Sequence, residues 1–277
     1  MRTPPLLRTP TAMAAETVTE YLEFALGAAR AAGSAILPHF RVALSVGDKG
    51  GVDGYDPVTV ADQHAEATIR AAIERTFPDH GIRGEEHGWR KGSSRYTWVI
   101  DPIDGTRSFI LGQMHWATLI ALHDGERVVV GVAHQPYVGE SFVGTAGGAA
   151  QWRRDGQSRT LATRPCRSIA DAVVACTDPR MFHTPAERAA FDRVADDARL
   201  TRWGGDCYAY CLLAMGLIDV VIEASLEAYD VQALIPVVEA AGGVISTWSG
   251  GSADEGGSIV ACGDRRLHGE VLRRLAG

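Results

Sequence analysis

The spacing of apolar residues changes along the chain from a helical to a strand-like pattern. This change limits the chain to folds that combine helices with sheets. Residues 18–40 carry apolar side chains at helical spacing, and a second helical pattern follows Thr59. Asp62 lies three residues after Thr59, which is typical of a capped helix start. Strand-like segments come next, including a predicted hairpin over residues 116–135 and a further strand pair around Gly147-Gly148, and strands alternate with helices from about residue 170. The sequence therefore predicts an α/β fold.

The composition is that of a globular protein and argues against several other classes. Hydrophobic residues make up 46% of the 277 residues, and charged residues make up 22%. The net charge of -7 disfavours a nucleic-acid binder, and no apolar run approaches the roughly 20 residues that span a membrane. Residues 1–15 are predicted to be a disordered leader without a secretory signal. We expect residues 16–277 to form a single domain, with a hairpin-rich α+β half over about 16–150 and an α/β half over about 151–277.

The cysteines indicate free thiols. The chain has five, which is an odd number, and no Cys-x-x-Cys pair, so neither a disulfide framework nor a zinc ribbon is indicated. Cys207 and Cys211 lie four residues apart in an apolar helical stretch, where buried and unreactive thiols are expected. Free thiols are typical of a reducing compartment, so we expect the protein in the cytoplasm.

Acidic residues follow the predicted strands at several points. Glu85 comes after one strand-like segment, Asp101 and Asp104 come after a second, and Asp230 comes after a third. Ligands of α/β proteins commonly bind beyond the carboxyl ends of strands. Two carboxylates about 4 Å apart repel by about 4 kcal/mol at an effective dielectric near 20, so acids that converge need a cation. Oxygen ligands favour Mg²⁺, Mn²⁺ or Ca²⁺ over zinc.

The segment from Asp104 to Thr106 combines a carboxylate with a place for an anion. Gly105 permits a close backbone approach, and a helix that begins here directs its N–H groups at an anion such as phosphate. Carboxylates, a cation and a phosphate together indicate metal-assisted phosphoryl chemistry. Each signal alone also has a simpler interpretation: a solvated pair at Glu85-Glu86, a capped turn at Asp104–Thr106, a helix cap at Asp230 and a turn at Asp56-Pro57.

Several motifs, in this order, resemble the inositol monophosphatase superfamily. They are Asp56-Pro57-Val58-Thr59-Val60-Ala61-Asp62, Gly84-Glu85-Glu86, Asp101-Pro102-Ile103-Asp104-Gly105-Thr106 and Tyr229-Asp230. The resemblance covers about residues 18–277. It implies the layered αβαβα sugar-phosphatase fold, a homodimer, and a Mg²⁺-dependent, lithium-sensitive phosphatase that acts on small phosphomonoesters.

The resemblance also implies a role for each motif residue. Two magnesium ions, with a third and weaker one, would be held by Glu85, Asp101, the Ile103 carbonyl, Asp104 and Asp230. Gly105 and Thr106 would bind phosphate oxygens through their backbone N–H groups. The residues implied to be catalytic are Asp56, Glu85 and Thr106. Among these, Thr106 and Asp56 would together activate the attacking water.

Residues 202–216 are similar to the histidinol-phosphatase branch of the superfamily, chiefly through Gly205-Asp206-Cys207. Histidinol phosphate is therefore the expected substrate. Its expected contacts are Asp206, Cys207 and Glu223, because acids can bind its ammonium and imidazole groups. A helix N-cap is the alternative role of Asp206.

Other substrates stay open. Glu227 departs from the branch, in which a lysine is usual, and this leaves the fine preference undecided. Inositol 1-phosphate and related small phosphates are the alternatives within the phosphatases. A catalytically silent binding member is disfavoured because every expected ligand position is intact.

Overall fold

The computed structural model describes residues 15–43, 46–49 and 57–277. The predicted leader lies outside these residues, except for Ala15, which begins the first helix. Asp56, expected to be catalytic, also lies outside them. No helix within the described ranges is long and apolar enough to cross a membrane.

Two long helices form the first layer, as the apolar spacing predicts. Helix α1 (Ala15–Ile36) ends in a 3₁₀ turn, and helix α2 (Val60–Thr76) packs against α1. At the start of α2, the Thr59 N–H donates to Asp62 Oδ2 at 2.8 Å, and this capping box confirms the predicted helix start. A short ribbon of β1 (Val46–Asp48) and β2 (Pro57–Thr59) leads into α2.

A sheet of eight strands lies beneath these helices, in the order β10-β9-β8-β7-β6-β5-β3-β4. Within this sheet, β3 and β5 form a parallel pair, and every other pair of neighbouring strands is antiparallel. The predicted hairpins are confirmed in β6–β7 and β8–β9. Helix α3 (Thr106–Ile110) follows β5 directly. The strands are β3 (Gly81–Gly84), β4 (Gly88–Arg90), β5 (Thr97–Asp104), β6 (Ala117–His123), β7 (Val128–Gln135), β8 (Glu140–Thr145), β9 (Gln151–Arg154) and β10 (Gln157–Thr160).

A second sheet of five strands follows in the order β12-β11-β13-β15-β14. Its strands are β11 (Val173–Cys176), β12 (Leu200–Trp203), β13 (Val220–Leu226), β14 (Val244–Thr247) and β15 (Gly257–Cys262). The helices of this half are α4 (Pro185–Ala195), α5 (Asp206–Ala214), α6 (Ala228–Val231), α7 (Leu234–Ala240) and α8 (Arg265–Ala276). The strand–helix alternation predicted from about residue 170 is therefore confirmed.

The pattern predicts a helix over residues 231–241 that ends at Gly242-Gly243, and α7 (Leu234–Ala240) lies there. The predicted start is wrong, because Val231 ends the separate helix α6, and Gln232 and Ala233 divide α6 from α7. Pro236 accounts for the division, because proline lacks the N–H that a helix interior requires and is tolerated in a first turn. As a result, Tyr229 and Asp230 lie inside α6.

The elements stack in five layers. Helices α1 and α2 pack on one face of the eight-stranded sheet, and α7 packs on its other face. Helices α5 and α7 also contact the five-stranded sheet, whose outer face is covered by α4 and α8. Three buried apolar clusters fill the spaces between the layers. This is the expected αβαβα fold.

Two glycines let the middle layer approach the large sheet closely. A Cβ at Gly131 would lie 2.1 Å from the Ala233 carbonyl oxygen, and a Cβ at Gly144 would lie 2.3 Å from the Pro236 carbonyl oxygen. Any side chain at these positions would collide with backbone. The glycines therefore fix the distance between the sheet and the segment that carries Asp230.

We expect Gly144→Ala to lower the free energy of unfolding by about 1–3 kcal/mol, because the added methyl group overpacks this contact. Gly27→Ala is the matched control: Gly27 lies on α1 with no atom within 4 Å of the added methyl group, so the change should be neutral or slightly stabilising. Urea unfolding of both variants measures the difference. Equal stability of Gly144→Ala and the wild type would contradict the account.

Candidate active site

An irregularity in β5 brings Asp101 and Asp104 to one side of the sheet. Residues three apart on a regular strand point to opposite faces. Here Asp101 lies opposite Leu119 whereas Asp104 lies opposite Ala117, so β5 contains one residue more than β6 over this stretch. Asp101 Oδ1 accepts the N–H of Ile103 at 3.0 Å inside this bulge. The bulge redirects the second carboxylate toward the first.

Asp230 joins these two residues from α6. Carboxylate oxygens of Asp101, Asp104 and Asp230 all lie within 4.8 Å of one another. The Glu85 side chain, on the loop after β3, hydrogen-bonds with that of Asp101. Four acids that are far apart in sequence therefore converge at one point.

Burial makes the charged forms of these acids costly. Together with the charge of Asp206, it raises the pKa of Asp104 to about 7. Burial also raises the pKa of Asp101 and of Asp230 well above the usual range, and the neighbouring acids add to both shifts. Within the described part of the chain, no ion pair balances Asp101, Asp104 or Asp230.

Sequence reasoning missed Lys49, which lies beside this cluster. Its Nζ atom lies 2.7 Å from Glu85 Oε1 and 3.0 Å from Glu86 Oε1. The side chains of Glu85 and Glu86 are only 13% and 4% exposed, so their interpretation as a solvated pair is wrong. Lysine occurs at just two positions in this arginine-rich chain. The location of Lys49 in a glycine-rich stretch near Asp56 was the sequence signal that could have indicated a role at the site.

The donor atoms at this point fit a hard divalent cation. All of them are oxygens: the four carboxylates and the Ile103 carbonyl, which accepts the Thr106 hydroxyl at 3.1 Å. A cation of this kind would supply the charge that the buried acids lack. Such a donor set suits Mg²⁺, Mn²⁺ or Ca²⁺ better than softer metals.

Gly105 forms the turn between this cluster and α3. Its φ angle is 84°, in the left-handed region, and a Cβ here would lie 2.5 Å from the His115 carbonyl oxygen. Both conformation and space therefore require glycine at this position. Thr106 begins α3, as expected. The expected contact between Thr106 and Asp56 lies outside the described residues.

The cluster opens into a cleft of about 290 Å³ that also contains the three residues expected to contact the substrate. The Cys207 N–H donates to Asp104 Oδ2 at 2.8 Å, which joins the start of α5 to the acidic cluster. Glu223 is 3% exposed and accepts hydrogen bonds from the Thr177 N–H at 3.1 Å and from the Tyr210 hydroxyl at 3.0 Å. Its carboxylate therefore has a fixed direction.

Asp206 does not cap its helix, so the alternative role considered for it is wrong. Gly205 occupies the N-cap position of α5, and no side-chain cap hydrogen bond forms there. Asp206 instead accepts the Ser108 hydroxyl at 2.7 Å, and its own N–H donates to Thr177 Oγ1 at 3.0 Å. Its φ angle of 45° is unusual for a residue other than glycine. Its carboxylate lies toward the cleft.

All five cysteines are free, as expected, and all five are buried, including Cys207 and Cys211, for which the sequence predicts burial. Burial raises the pKa of Cys207 and of Cys211 well above the usual range. Neither thiol is therefore a ready nucleophile, and the chemistry of the cleft depends on its oxygen donors.

A layered αβαβα fold with buried acids beside a glycine turn fits a phosphomonoesterase, and the acids suit a divalent cation. The comparisons agree with this class. The model of the inositol monophosphatase family matches residues 17–276, so the chain belongs to that family and is a phosphatase. Metal dependence, generally on Mg²⁺, is a property of the family.

Named relatives include more than one activity. The chain is 39% identical to the bifunctional phosphatase IMPL2, chloroplastic, of Arabidopsis thaliana, over 89% of this chain and 72% of the relative. It is 35% identical to a histidinol-phosphatase of Chlorobaculum parvum, over 84% of this chain and 88% of that one. The solved inositol monophosphatase from Zymomonas mobilis aligns with a TM-score of 0.82 and 36% identity, over 94% of this chain and 98% of that chain.

We expect the metal-free protein to lose stability as the pH rises from about 4 to about 7. The raised pKa of Asp104 means that the folded state favours the neutral acid, and this contribution is present at low pH and is lost as the group ionises. Asp104→Asn should reduce the loss by on the order of 4 kcal/mol. Mg²⁺ at about 100 times its dissociation constant should add about 2.7 kcal/mol at pH 7.5.

Denaturant unfolding at several pH values, with EDTA or with Mg²⁺, measures these effects. The same pH dependence in the wild type and in Asp104→Asn would show that Asp104 is not the group responsible.

Proposed function

We propose that this protein is a Mg²⁺-dependent phosphatase that hydrolyses histidinol phosphate to histidinol and phosphate. The observation that carries the proposal is the pair of acids Asp206 and Glu223 on the substrate side of the cleft. Burial raises the pKa of both carboxyl groups, and the nearby Arg107 and His115 offset only part of this effect at Asp206. An ammonium or imidazolium group on the substrate would supply further positive charge.

The name of one relative supports this substrate, since the Chlorobaculum protein is a histidinol-phosphatase. Inositol 1-phosphate is the second candidate. Its hydroxyl groups can donate to the same carboxylates, and the Zymomonas neighbour is an inositol monophosphatase. Glu227 also lines the cleft, and its negative charge, where the branch usually has a lysine, leaves the fine preference between these substrates to the experiment below.

In the proposed reaction, the chain's own groups hold the ester and direct the water. Glu85, Asp101, Asp104, Asp230 and the Ile103 carbonyl would hold two or three magnesium ions. Magnesium, when bound, lowers the pKa of water and neutralises charge on the phosphoryl group. The backbone N–H groups of Gly105 and Thr106 bind phosphate oxygens.

The Thr106 hydroxyl orients the water, accepts its proton and passes its own proton to the Asp56 carboxylate. The water attacks phosphorus in line with the ester oxygen, the P–O bond to the alcohol breaks, and the leaving alkoxide takes a proton from solvent water. Asp206 and Glu223 hold the amino-imidazole end of the leaving alcohol. This route needs no phosphorylated enzyme.

The remaining expectations belong to the same proposal. The five buried free thiols support a reducing compartment such as the cytoplasm. The homodimer and the inhibition by lithium stay predictions from the family resemblance.

Phosphate release with Mg²⁺ tests the substrate directly. We expect kcat/KM to be highest for histidinol phosphate and lower for inositol 1-phosphate and glycerol phosphate. Asp206→Asn should lower kcat/KM for histidinol phosphate by about 10- to 100-fold and spare glycerol phosphate, because a charge-assisted hydrogen bond is lost. Ser108→Ala keeps the carboxylate and is the control, so it should keep the preference.

Two results would count against this assignment. Equal losses on both substrates would limit Asp206 to a structural role. Faster turnover of inositol 1-phosphate by the wild type would make histidinol phosphate the wrong substrate.

We expect Thr106→Ala to lower kcat much more than it raises KM, because its hydroxyl acts on the water in the transition state. Asp56→Asn should have a similar effect, and the double variant should be little worse than either single one. Steady-state kinetics at saturating Mg²⁺ measures all three variants. Fully additive losses would show that the two residues do not act as a unit.

A further inference from the structure

The loop after β3 is held from behind by two side chains of α2, Glu66 and Arg70. Glu66 Oε2 accepts the N–H of Glu86 at 2.7 Å, and Glu66 Oε1 accepts the N–H of His87 at 3.2 Å. Arg70 donates to Glu66 Oε1 at 2.6 Å through Nε, and to the Gly88 carbonyl through Nη2. The Glu66 side chain is fully buried and that of Arg70 is 12% exposed. This ion pair thus binds three backbone groups of one loop.

Gly84 provides the space for this arrangement. A Cβ at Gly84 would lie 2.0 Å from Glu66 Oε1 and 2.9 Å from Arg70 Nη2, whereas its φ angle is ordinary. On the opposite side, the Glu85 N–H donates to the Ile100 carbonyl at 3.2 Å. The backbone at Glu85 is therefore fixed on one side by its hydrogen bond to β5. On the other side, the backbone of the next residues is fixed by the Glu66–Arg70 ion pair.

We propose that Glu66 and Arg70 are positioning residues for cation binding. Their hydrogen bonds fix the loop backbone so that the Glu85 carboxylate faces Asp101. Because the loop is already ordered, cation binding loses no free energy in ordering it. Charge-assisted bonds to a buried carboxylate are strong enough for this purpose. The inference rests on the proposed function, because it requires a divalent cation at the acidic cluster.

Calorimetric titration with Mg²⁺, without substrate, tests this role. In Glu66→Gln one oxygen acceptor is replaced by an amide donor, so one loop N–H loses its partner. Arg70→Lys keeps the charge but removes the fork that reaches both Glu66 and Gly88. We expect Mg²⁺ binding to weaken about 10- to 100-fold in each variant. Gly84→Ala, which disturbs the same contact from the loop side, should act in the same direction.

The Mg²⁺ dependence of phosphate release gives a second readout. The variants should need correspondingly more Mg²⁺ and should recover most of the wild-type kcat at saturation. Asp192→Asn is the matched control, because Arg188 and Asp192 form a similar pair one turn apart on α4, at 2.9 Å and exposed. It should leave Mg²⁺ affinity unchanged.

Circular dichroism and thermal unfolding separate positioning from folding. If folded Glu66→Gln and Arg70→Lys bound Mg²⁺ with wild-type affinity, the inference would be overturned, even if both variants were less stable. The ion pair would then stabilise the fold without affecting cation binding. Absence of Mg²⁺ binding by the wild-type protein would overturn the inference together with the proposed function.

Discussion

Repulsion among buried carboxylates is the interaction on which this structure depends. Asp101, Asp104 and Asp230 present oxygens within 4.8 Å of one another, and Glu85 lies beside them and pairs with Lys49. Burial raises the pKa of each of these acids because their charges are poorly solvated. Without a cation, the folded protein favours the neutral acids, and a rigid backbone holds them together. A divalent cation would balance their ionised forms and would supply, in the same position, the chemistry of phosphate transfer.

The backbone around the cluster provides that rigidity through close contacts. The bulge in β5 directs two aspartates to one point, and Gly131 and Gly144 allow the segment carrying Asp230 to rest directly on the large sheet. The loop of Glu85 is braced by Glu66 from α2. The site is therefore assembled from three layers, each held by a separate set of backbone contacts. Catalytic precision of this kind depends on parts of the chain that never touch the substrate.

Motifs and periodicity predicted much of this, and the exceptions have physical causes. The capped start at Thr59 and the hairpins follow from local patterns, so they could be predicted. The bulge in β5 could not, because one extra residue is visible only in the pairing with β6. Lys49 and Glu66 were missed since each acts through a partner that lies far along the chain or on another element. Asp206 was ambiguous until Ser108, distant in sequence, proved to be its partner.

The most direct test of the central claim is anomalous diffraction from crystals of the protein soaked in Mn²⁺, which replaces Mg²⁺ at oxygen sites and scatters anomalously. We expect at least one strong peak about 2–2.5 Å from carboxylate oxygens of Asp101, Asp104 and Asp230, and a second peak beside Glu85. Crystals of Asp104→Asn should lose the first peak. Wild-type crystals with fully ordered side chains and no anomalous peak in this cluster would contradict the claim that a divalent cation balances the buried acids.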